Sequence, residues 1–592
     1  MRPAGCSFAC FLFMSTLAMQ AVGVVSTDTE STCDPNVLYK ACLFGDVNNV
    51  RSCLVAGISA DTVGSDGLSA LWIAAQEGHA EVVDLLLAYK ADVTFRRQSD
   101  DATALHVAAA QGYDPIVTAL LDHKMAVDVN DRNGITPVYR AAQGGHVTTV
   151  QQLVTQGASI KLTAKDGTSA FWIAAAQGHT KVVQYLLSIG ADATIQRSSD
   201  GVSALWMAAY NGYAEVISQL LKAGVDIEGC DKAHQVTPLW IAAYKGEVEA
   251  VDVLLVQGAD ANSPGTPNKI PPLWIATQGG HVDTVQLLLD KRVSPNEASS
   301  KGIAPLWLAC QLGYSDIVTA LLEAGAHVDA VGSTVGSTPL AEAAAHGYDD
   351  IVDILLEKGA QPDTRDSRGI SPLLRATQQG YDMIVKRLLD LGAQAEVRAN
   401  DSGATAFWFA AQGGYIQIAE LLVAAGVDPN TVDTVHSVTP LWIAAHGGHT
   451  DVIQMLLDLG AEVDFVSTRH RVTPLWIAAQ QGHARTVALL AEKQANVHFA
   501  GPNGITPLWS AASKGHTQVV QVLLELNAEV DARDLEKGVT PLFVAAQNGF
   551  TNVVRLLLAY RADPAIEVGG YTPRSIAENN GHLAVVRLFD DN

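Results

Sequence analysis

The sequence predicts an all-α solenoid, in which helix-turn-helix units joined by short hairpin loops stack one after another. Three observations predict this fold class. Tryptophan recurs every 33 or 34 residues over long stretches, as at Trp206, Trp240 and Trp274. A glycine recurs with the same period, and 48% of the residues are hydrophobic although only 6% are aromatic. A fixed period of this size indicates stacked repeats, so the chain need not be divided into the roughly three to five domains that its length alone suggests.

Seventeen units appear when the chain is aligned on the position just before tryptophan, which we call the anchor. Successive anchors are 32 to 34 residues apart and leave no room for a separate domain between the first and the last. The anchors are Leu38, Leu71, Leu105, Val138, Phe171, Leu205, Leu239, Leu273, Leu306, Leu340, Leu373, Phe407, Leu441, Leu475, Leu508, Leu542 and Arg574.

Each unit predicts a first helix with clear ends. The residue two before the anchor is Ser, Thr or Asn in fifteen units, for example Thr439 and Asn36, and these side chains cap exposed N–H groups. Proline follows in eleven units, as at Pro440, where its missing N–H costs nothing. All seventeen units have glycine seven residues beyond the anchor, as at Gly448, which indicates a positive φ at the C-terminal cap.

A second helix follows each of these glycines. The spacing V-x-x-L-L, as in Val519-Val520 to Leu523-Leu524, places one apolar stripe along it. Endings such as Gly258-Ala259-Asp260 stop this helix and begin a polar loop.

The motif T-P-L-x-x-A-A, the recurring glycine and the G-A-D endings resemble ankyrin repeats, whose period is about 33 residues. The resemblance covers about residues 34 to 592 and implies an ankyrin solenoid that binds proteins on its concave face. One departure is that the family's usual His after T-P-L is Trp in ten units and remains only at His106. That His is understood to bond to neighbouring backbone and Thr groups, so the substitution is expected to replace a polar contact with a large apolar one.

Two positions of the repeat carry large side chains in most units, and we call the set of residues at each position a column. The tryptophans are interpreted as a buried ladder between units, the alternative being an exposed aromatic binding surface. Eight histidines follow the recurring glycine, and other units have Tyr, Phe550, Glu247 or Asp46 there, which favours an inter-helix structural role over a metal site.

Composition and motifs argue against an enzyme. The 38 Lys and Arg against 62 Asp and Glu give a formal charge of -24, which argues against nucleic acid and favours partners with basic segments. Phosphate-binding, nucleophile-elbow and zinc-protease motifs do not occur in the sequence, and a one-dimensional stack provides few pockets for converging groups. We therefore expect no cofactor, metal or catalytic residues.

The partner-binding residues are predicted from the positions just before the recurring glycine. Most are Gln or small polar residues, which fits a merely solvated face. Tyr210 and Tyr244 are the exception, with Asn211 and Lys245 beside them and Leu312 further along the column. Because aromatic anchors carry much of the energy of an interface, these five residues are the candidate contact. The chain is thus predicted to be a binding scaffold, the alternative being a structural or elastic spacer.

The N-terminal residues differ from the repeats. Arg2 is followed by an uncharged apolar stretch over residues 6–25, and Ala21-Val22-Gly23 reads as a cleavage site, so residues 1–23 are predicted to be a secretory signal. The stretch is also long enough for an uncleaved membrane anchor, the open alternative. A short linker over 24–33 then leads to an array over 34–592 with an atypical unit capping each end. The chain is accordingly expected in the secretory pathway or, if anchored, at a membrane.

Five cysteines lie beyond this segment. Cys42, Cys53 and Cys310 align with apolar positions of the repeat and are expected to be buried thiols. A disulfide between Cys33 and either Cys42 or Cys53 is a further hypothesis.

Overall fold

The computed structural model describes residues 33–233, 235–265, 269–332 and 335–590. Within these ranges it contains 34 α-helices, one 3-10 helix over Pro502–Gly504, and only isolated β-bridges such as Val63 with Ser69. The predicted all-α fold of paired helices is confirmed. The predicted signal over residues 1–23 lies outside the described residues.

The helices follow the predicted period. They are α1 (Pro35–Phe44), α2 (Val47–Val55), α3 (Ala70–Glu77), α4 (Ala80–Ala88), α5 (Ala104–Gln111), α6 (Asp114–Asp122), α7 (Pro137–Gly144), α8 (Val147–Thr155), α9 (Ala170–Ala176), α10 (Thr180–Ser188), α11 (Ala204–Tyr210), α12 (Ala214–Lys222), α13 (Pro238–Lys245), α14 (Val248–Val256), α15 (Pro272–Gly279), α16 (Val282–Asp290), α17 (Pro305–Leu312), α18 (Ser315–Glu323), α19 (Pro339–His346), α20 (Asp349–Glu357), α21 (Pro372–Gln379), α22 (Asp382–Asp390), α23 (Ala406–Gly413), α24 (Ile416–Ala424), α25 (Pro440–Gly447), α26 (Thr450–Asp458), α27 (Pro474–Gln481), α28 (Ala484–Glu492), α29 (Pro507–Lys514), α30 (Thr517–Glu525), α31 (Pro541–Gln547), α32 (Thr551–Ala559), α33 (Pro573–Asn579) and α34 (Leu583–Asp590).

The described residues form two compact units. The first unit runs to Ala208 and includes Ser218–Val225, and the second contains Ala209–Ile217 and the residues from Asp226 onward. In each unit, a first helix packs against its own second helix and against the first helix of the next repeat, as α3 does with α4 and α5, and α25 with α26 and α27. Each repeat therefore buries its apolar side against its neighbours.

The ends of most first helices are as predicted. The Thr439 side chain accepts a hydrogen bond from the backbone N–H of Trp442, Pro440 is the first helical residue, and Gly448 ends the helix at a φ of 74°. The seventeen recurring glycines all have φ between 70° and 90°. Local capping chemistry thus sets where these helices begin and end.

The first repeat departs from the prediction that Asn36 is its cap. Helix α1 begins at Pro35, and the Asp34 side chain accepts the backbone N–H of Val37 at 2.8 Å. An Asp-Pro pair two residues earlier offers both a cap and a first-turn proline, and it extends the helix by about half a turn.

The core consists of small and aliphatic side chains. Val519, Val520 and Leu523 of the second-helix stripe are fully buried. Cys42, Cys53 and Cys310 are buried as predicted, and burial raises the pKa of the Cys42 thiol to about 12.

All five described cysteines are free thiols, so the structure does not form the hypothesised disulfide of Cys33 with Cys42 or Cys53. Among the described residues no helix is long and apolar enough to span a membrane.

Candidate protein-binding surface

The tryptophan column joins neighbouring repeats by hydrogen bonds as well as by packing. In eight of the ten, Nε1–H donates to a backbone carbonyl of the next repeat at 2.8 to 3.2 Å. The acceptor is always the residue three before the next anchor: Trp72 bonds Ala102, Trp172 Val202, Trp240 Ile270, Trp274 Ile303, Trp307 Ser337, Trp442 Val472, Trp476 Ile505 and Trp509 Val539.

This geometry corrects the expectation that Trp exchanges a polar contact for an apolar one. His106 Nε2 contacts the Ile135 carbonyl at 2.9 Å, and its Nδ1 contacts Thr103 Oγ1 at 2.9 Å. The indole N–H reaches the same acceptor position as the imidazole, so the inter-repeat bond is kept and only the contact to the threonine changes. Eight of the ten rings are also buried, so the prediction of a buried ladder is confirmed and the exposed-ladder alternative is wrong.

The histidine column also makes inter-repeat contacts. Because a carbonyl can only accept, each Nε2–H donates to the carbonyl two residues before the preceding repeat's glycine, at 2.8 to 3.1 Å. The donors are His79, His146, His179, His281, His449, His483, His516 and His582. The predicted structural role is confirmed. In the part of the chain that the structure describes, no three His, Cys, Asp or Glu side chains are grouped to hold a metal.

The rings that follow the recurring glycine give a second reason why the preceding repeat has glycine at this position, because they leave no space for a Cβ. A Cβ on Gly112 would lie 2.4 Å from Nδ1 of His146, and one on Gly78 would lie 2.8 Å from the ring of Tyr113. Positive φ was predictable from local sequence, whereas the close approach of the next repeat's ring was not.

The candidate contact residues lie at the exposed ends of first helices. Tyr244 is 41% exposed, and its ring stacks on Trp240 with centroids 5.7 Å apart. Lys245 is exposed, and its Nζ lies 4.9 Å from the centre of the Tyr210 ring. Asn211 is half-buried beside Tyr210. Tyr210, Tyr244 and Lys245 therefore form one amphipathic patch.

Leu312 is 37% exposed at the end of α17. It lies two repeats beyond Tyr244, and the intervening repeat has Gln278 and Gly279 at these positions. Leu312 thus continues the same column but stands apart from the tyrosine patch.

A stack of aromatic rings around Trp442 of α25 was missed by the sequence analysis. The Trp442 ring lies between His446, at 5.9 Å, and His470, at 5.2 Å. Burial lowers the pKa of both imidazoles below its usual value, aided by neighbouring histidines. The sequence does contain a signal for such stacking. His436 and His470 both stand five residues before an anchor, and each stacks on the tryptophan of the preceding repeat.

The ankyrin-repeat family model matches along the chain. It matches residues 12–97, 38–133, 94–166, 138–231, 171–265, 239–331, 273–366, 340–433, 373–467, 441–534 and 529–591. The chain belongs to the ankyrin-repeat family. No curated protein matches it. Ankyrin repeats mediate binding to other proteins and are typically non-catalytic interaction modules.

For these ankyrin repeats, the tryptophan and histidine columns are occupied by contacts within the array. The ends of the first helices remain exposed, and the tyrosine patch lies among them, as does Phe44 at the end of α1.

Proposed function

We propose that this ankyrin-repeat chain is a non-catalytic scaffold that binds partner proteins on its concave face, with Tyr210, Tyr244 and Lys245 at the centre of the contact. The observation that carries the proposal is the tyrosine patch, in which large rings remain accessible beside a cation. Tyrosine suits such a position because it offers broad apolar area at a low entropic cost and a polar tip. Asn211 and Leu312 extend the proposed contact along the column.

The proposed partner has basic segments, because the chain carries a formal charge of -24. Complementary charge speeds association and selects against acidic competitors. Crosslinking mass spectrometry of native complexes would identify the partner and its contacting segment. Recovery of no defined partner would favour the alternative, a structural or elastic spacer.

The binding test is the double variant Tyr210→Ala with Tyr244→Ala. We expect it to weaken binding to the crosslinked partner by more than about 2 kcal/mol, or about thirtyfold in Kd, because anchor residues dominate interface energy. Calorimetry measures the affinity, and thermal unfolding should change little.

The matched control is Tyr560→Ala. Tyr560 is also 41% exposed but lies at the C-terminal cap of α32, outside the column. Unchanged affinity in the double variant, or an equal loss in the control, would exclude the tyrosine patch as the contact.

We further propose that the chain enters the secretory pathway through residues 1–23. Support comes from Arg2, the uncharged stretch that follows it and the small residues before position 24. The alternative is that residues 6–25 remain as a membrane anchor.

A further inference from the structure

The hairpin loop between α22 and α23 carries a sequence motif that the repeat does not require. Its residues Asn400-Asp401-Ser402 follow the pattern N-x-S/T, in which x is not proline, and this pattern occurs once in the 592 residues. Such a triplet accepts an N-linked oligosaccharide in chains that enter the secretory pathway, where it lies in a surface loop. A triplet can also arise by chance, so the surroundings of Asn400 decide whether an oligosaccharide fits there.

The backbone of Asn400 lies at a register that recurs along the array. A β-bridge between Arg398 and Thr405 closes the hairpin below it, and its N–H donates to the Arg368 carbonyl of the preceding hairpin at 2.8 Å. Six other residues donate to the preceding hairpin in the same way at 2.7 to 3.1 Å: Arg132 to Asp100, Lys165 to Asn133, Ser198 to Asp166, Ser367 to Val335, Thr434 to Ser402 and Leu535 to Asn503. The neighbouring repeat therefore fixes the backbone at this register, whereas the side chain varies.

The side chains at this register are open to solvent. All seven residues, Asn400 included, are exposed, and they range in size from Ser198 to Arg132. Leu535 is the apolar member of the set, and it is still 83% exposed. Because even an apolar side chain finds no cover at this register, there is room for a large group beyond the side chain.

The amide of Asn400 is oriented with its nitrogen away from the array. A Cβ on Gly369 of the preceding hairpin would lie 2.6 Å from both Cγ and Oδ1 of Asn400, and Leu535 Cγ has the same relation to Gly504 at 2.6 Å. Since Oδ1 is on the glycine side of Cγ, Nδ2 is on the other side. Among the described residues, no hydrogen bond engages this Nδ2. A substituent on Nδ2 would thus disturb no contact of the folded chain.

The serine of the motif is not exposed to the same degree. Ser402 is half-buried, and its Oγ accepts the backbone N–H of Ala404 at 3.3 Å. Oligosaccharide is transferred to a chain that is still entering the lumen and is extended there, so the hydroxyl must be accessible only before folding. The folded structure has to accommodate the product at Asn400 alone.

We propose that Asn400 is an N-glycosylation site whose oligosaccharide projects from the tip of this hairpin. The bond that forms joins Nδ2 to the anomeric carbon of the first sugar, and the bond that breaks joins that carbon to the phosphate of a lipid-diphosphate oligosaccharide donor. One Nδ2 proton is released together with the lipid diphosphate. The inference rests on the proposed entry into the secretory pathway, and it holds both for a cleaved signal and for an anchor that places the repeats in the lumen.

The test is cell-free translation of the full-length chain with endoplasmic-reticulum microsomes. We expect the chain to be protected from added protease and to migrate more slowly until peptide-N-glycosidase F removes the sugar. In heavy-oxygen water the same enzyme converts a glycosylated asparagine to labelled aspartate, so mass spectrometry locates the sugar at residue 400. Asn400→Gln and Ser402→Ala should each abolish the shift in migration, whereas Ser402→Thr should keep it.

Asn133 provides the matched control. It is an exposed asparagine in the hairpin before α7, but Ile135 stands where the motif needs a hydroxyl. Asn133→Gln should therefore leave the shift in migration unchanged. Ile135→Thr completes a motif over residues 133–135 and should add a second shift, and because the transfer precedes folding, the stability of this variant does not affect the result.

The outcomes separate this inference from the proposed secretory entry. A protected chain that carries no sugar at Asn400, with or without a sugar in the Ile135→Thr variant, would overturn the glycosylation site and leave secretory entry standing. A shift that persists in Asn400→Gln would also overturn the site. Digestion of the whole chain by the added protease would overturn both proposals, because the chain would not have reached the lumen.

Discussion

At the scale of single residues, the tryptophans replace the family's histidine without giving up its inter-repeat bond. A five-membered ring that carries an N–H is common to imidazole and indole, and in both side chains it reaches the carbonyl of the next repeat. The indole adds a large buried area of roughly 150 to 250 Å². The substitution therefore strengthens packing while the hydrogen bond, worth about 1 kcal/mol, is retained.

The indole hydrogen bond predicts that the same substitution, Trp to Phe, lowers the free energy of unfolding by different amounts in two repeats. Trp442→Phe removes ring area and the bond to the Val472 carbonyl, whereas Trp408→Phe removes the same area and no bond. We expect Trp442→Phe to lower the free energy of unfolding by about 1 kcal/mol more than Trp408→Phe. Urea unfolding of the two full-length variants measures the difference, and equal losses would contradict the role of the indole N–H.

The single histidine in the tryptophan column should make stability depend on pH. Burial lowers the pKa of His106 to about 4, although its bond to Ile135 acts in the opposite direction. An unfolded imidazole, with a pKa near 6.5, binds a proton more readily, so the unfolded state gains from acid. The stabilisation is complete above about pH 6.5 and is lost as the pH falls towards 4.

The variant His106→Trp isolates this effect, because ten repeats already accommodate Trp at that position. Between pH 7.5 and pH 5, we expect the wild type to lose about 2 kcal/mol of stability relative to the variant. Urea unfolding of both proteins at the two pH values gives the comparison. A constant difference between the proteins would mean that His106 does not titrate differently on folding.

At the scale of the helix, the C-terminal cap couples one repeat to the next. Gly112 ends α5 with a φ of 75°, and the His146 ring of the following repeat lies against it while its Nε2–H donates to the Ala110 carbonyl. A local backbone requirement and an inter-repeat contact thus meet at one residue. The sequence reveals the first through the recurrence of glycine, but the second depends on the distance between stacked helices.

Two glycine variants separate these requirements. In Gly112→Ala, the new Cβ would clash with the ring in addition to occupying a left-handed conformation, so we expect a loss of about 3 kcal/mol in the free energy of unfolding. Gly190→Ala has a φ of 84° but no neighbour within 4 Å, and it should cost only about 1 kcal/mol. Chemical unfolding measures both. A similar cost for the two would show that the ring contact is unimportant.

At the scale of the whole molecule, the described chain is all ankyrin repeats, and length measures the number of stacked units. The number of repeats and their boundaries are predicted from the single recurring glycine that each repeat contains. Binding residues are harder to predict from sequence than repeat boundaries, because the exposure of a side chain depends on packing. Tyr244 is accessible, whereas Trp240, four residues earlier, is buried beneath it. Exposure and mutual contact together define the tyrosine patch.

The proposed secretory signal makes a prediction at this scale. Cleavage after Gly23 removes Arg2 and no acidic residue, so 37 basic and 62 acidic residues remain and the formal charge becomes -25. N-terminal sequencing of the native protein should then begin at Val24, because the small residues before it fit a cleavage site. A native chain that retains residues 6–25 would instead support the membrane-anchor alternative.

The sequence by itself determined the fold class, the repeat period and most of the helix caps, because these depend on interactions among residues only a few positions apart. Only the tertiary structure decided which groups pair across about one repeat, as in the bond from Trp442 to Val472, and which remain unpaired, as at Trp408. These outcomes depend on distances of a few tenths of an ångström between stacked helices. Two repeats with nearly the same local pattern can therefore differ in whether the indole N–H is paired.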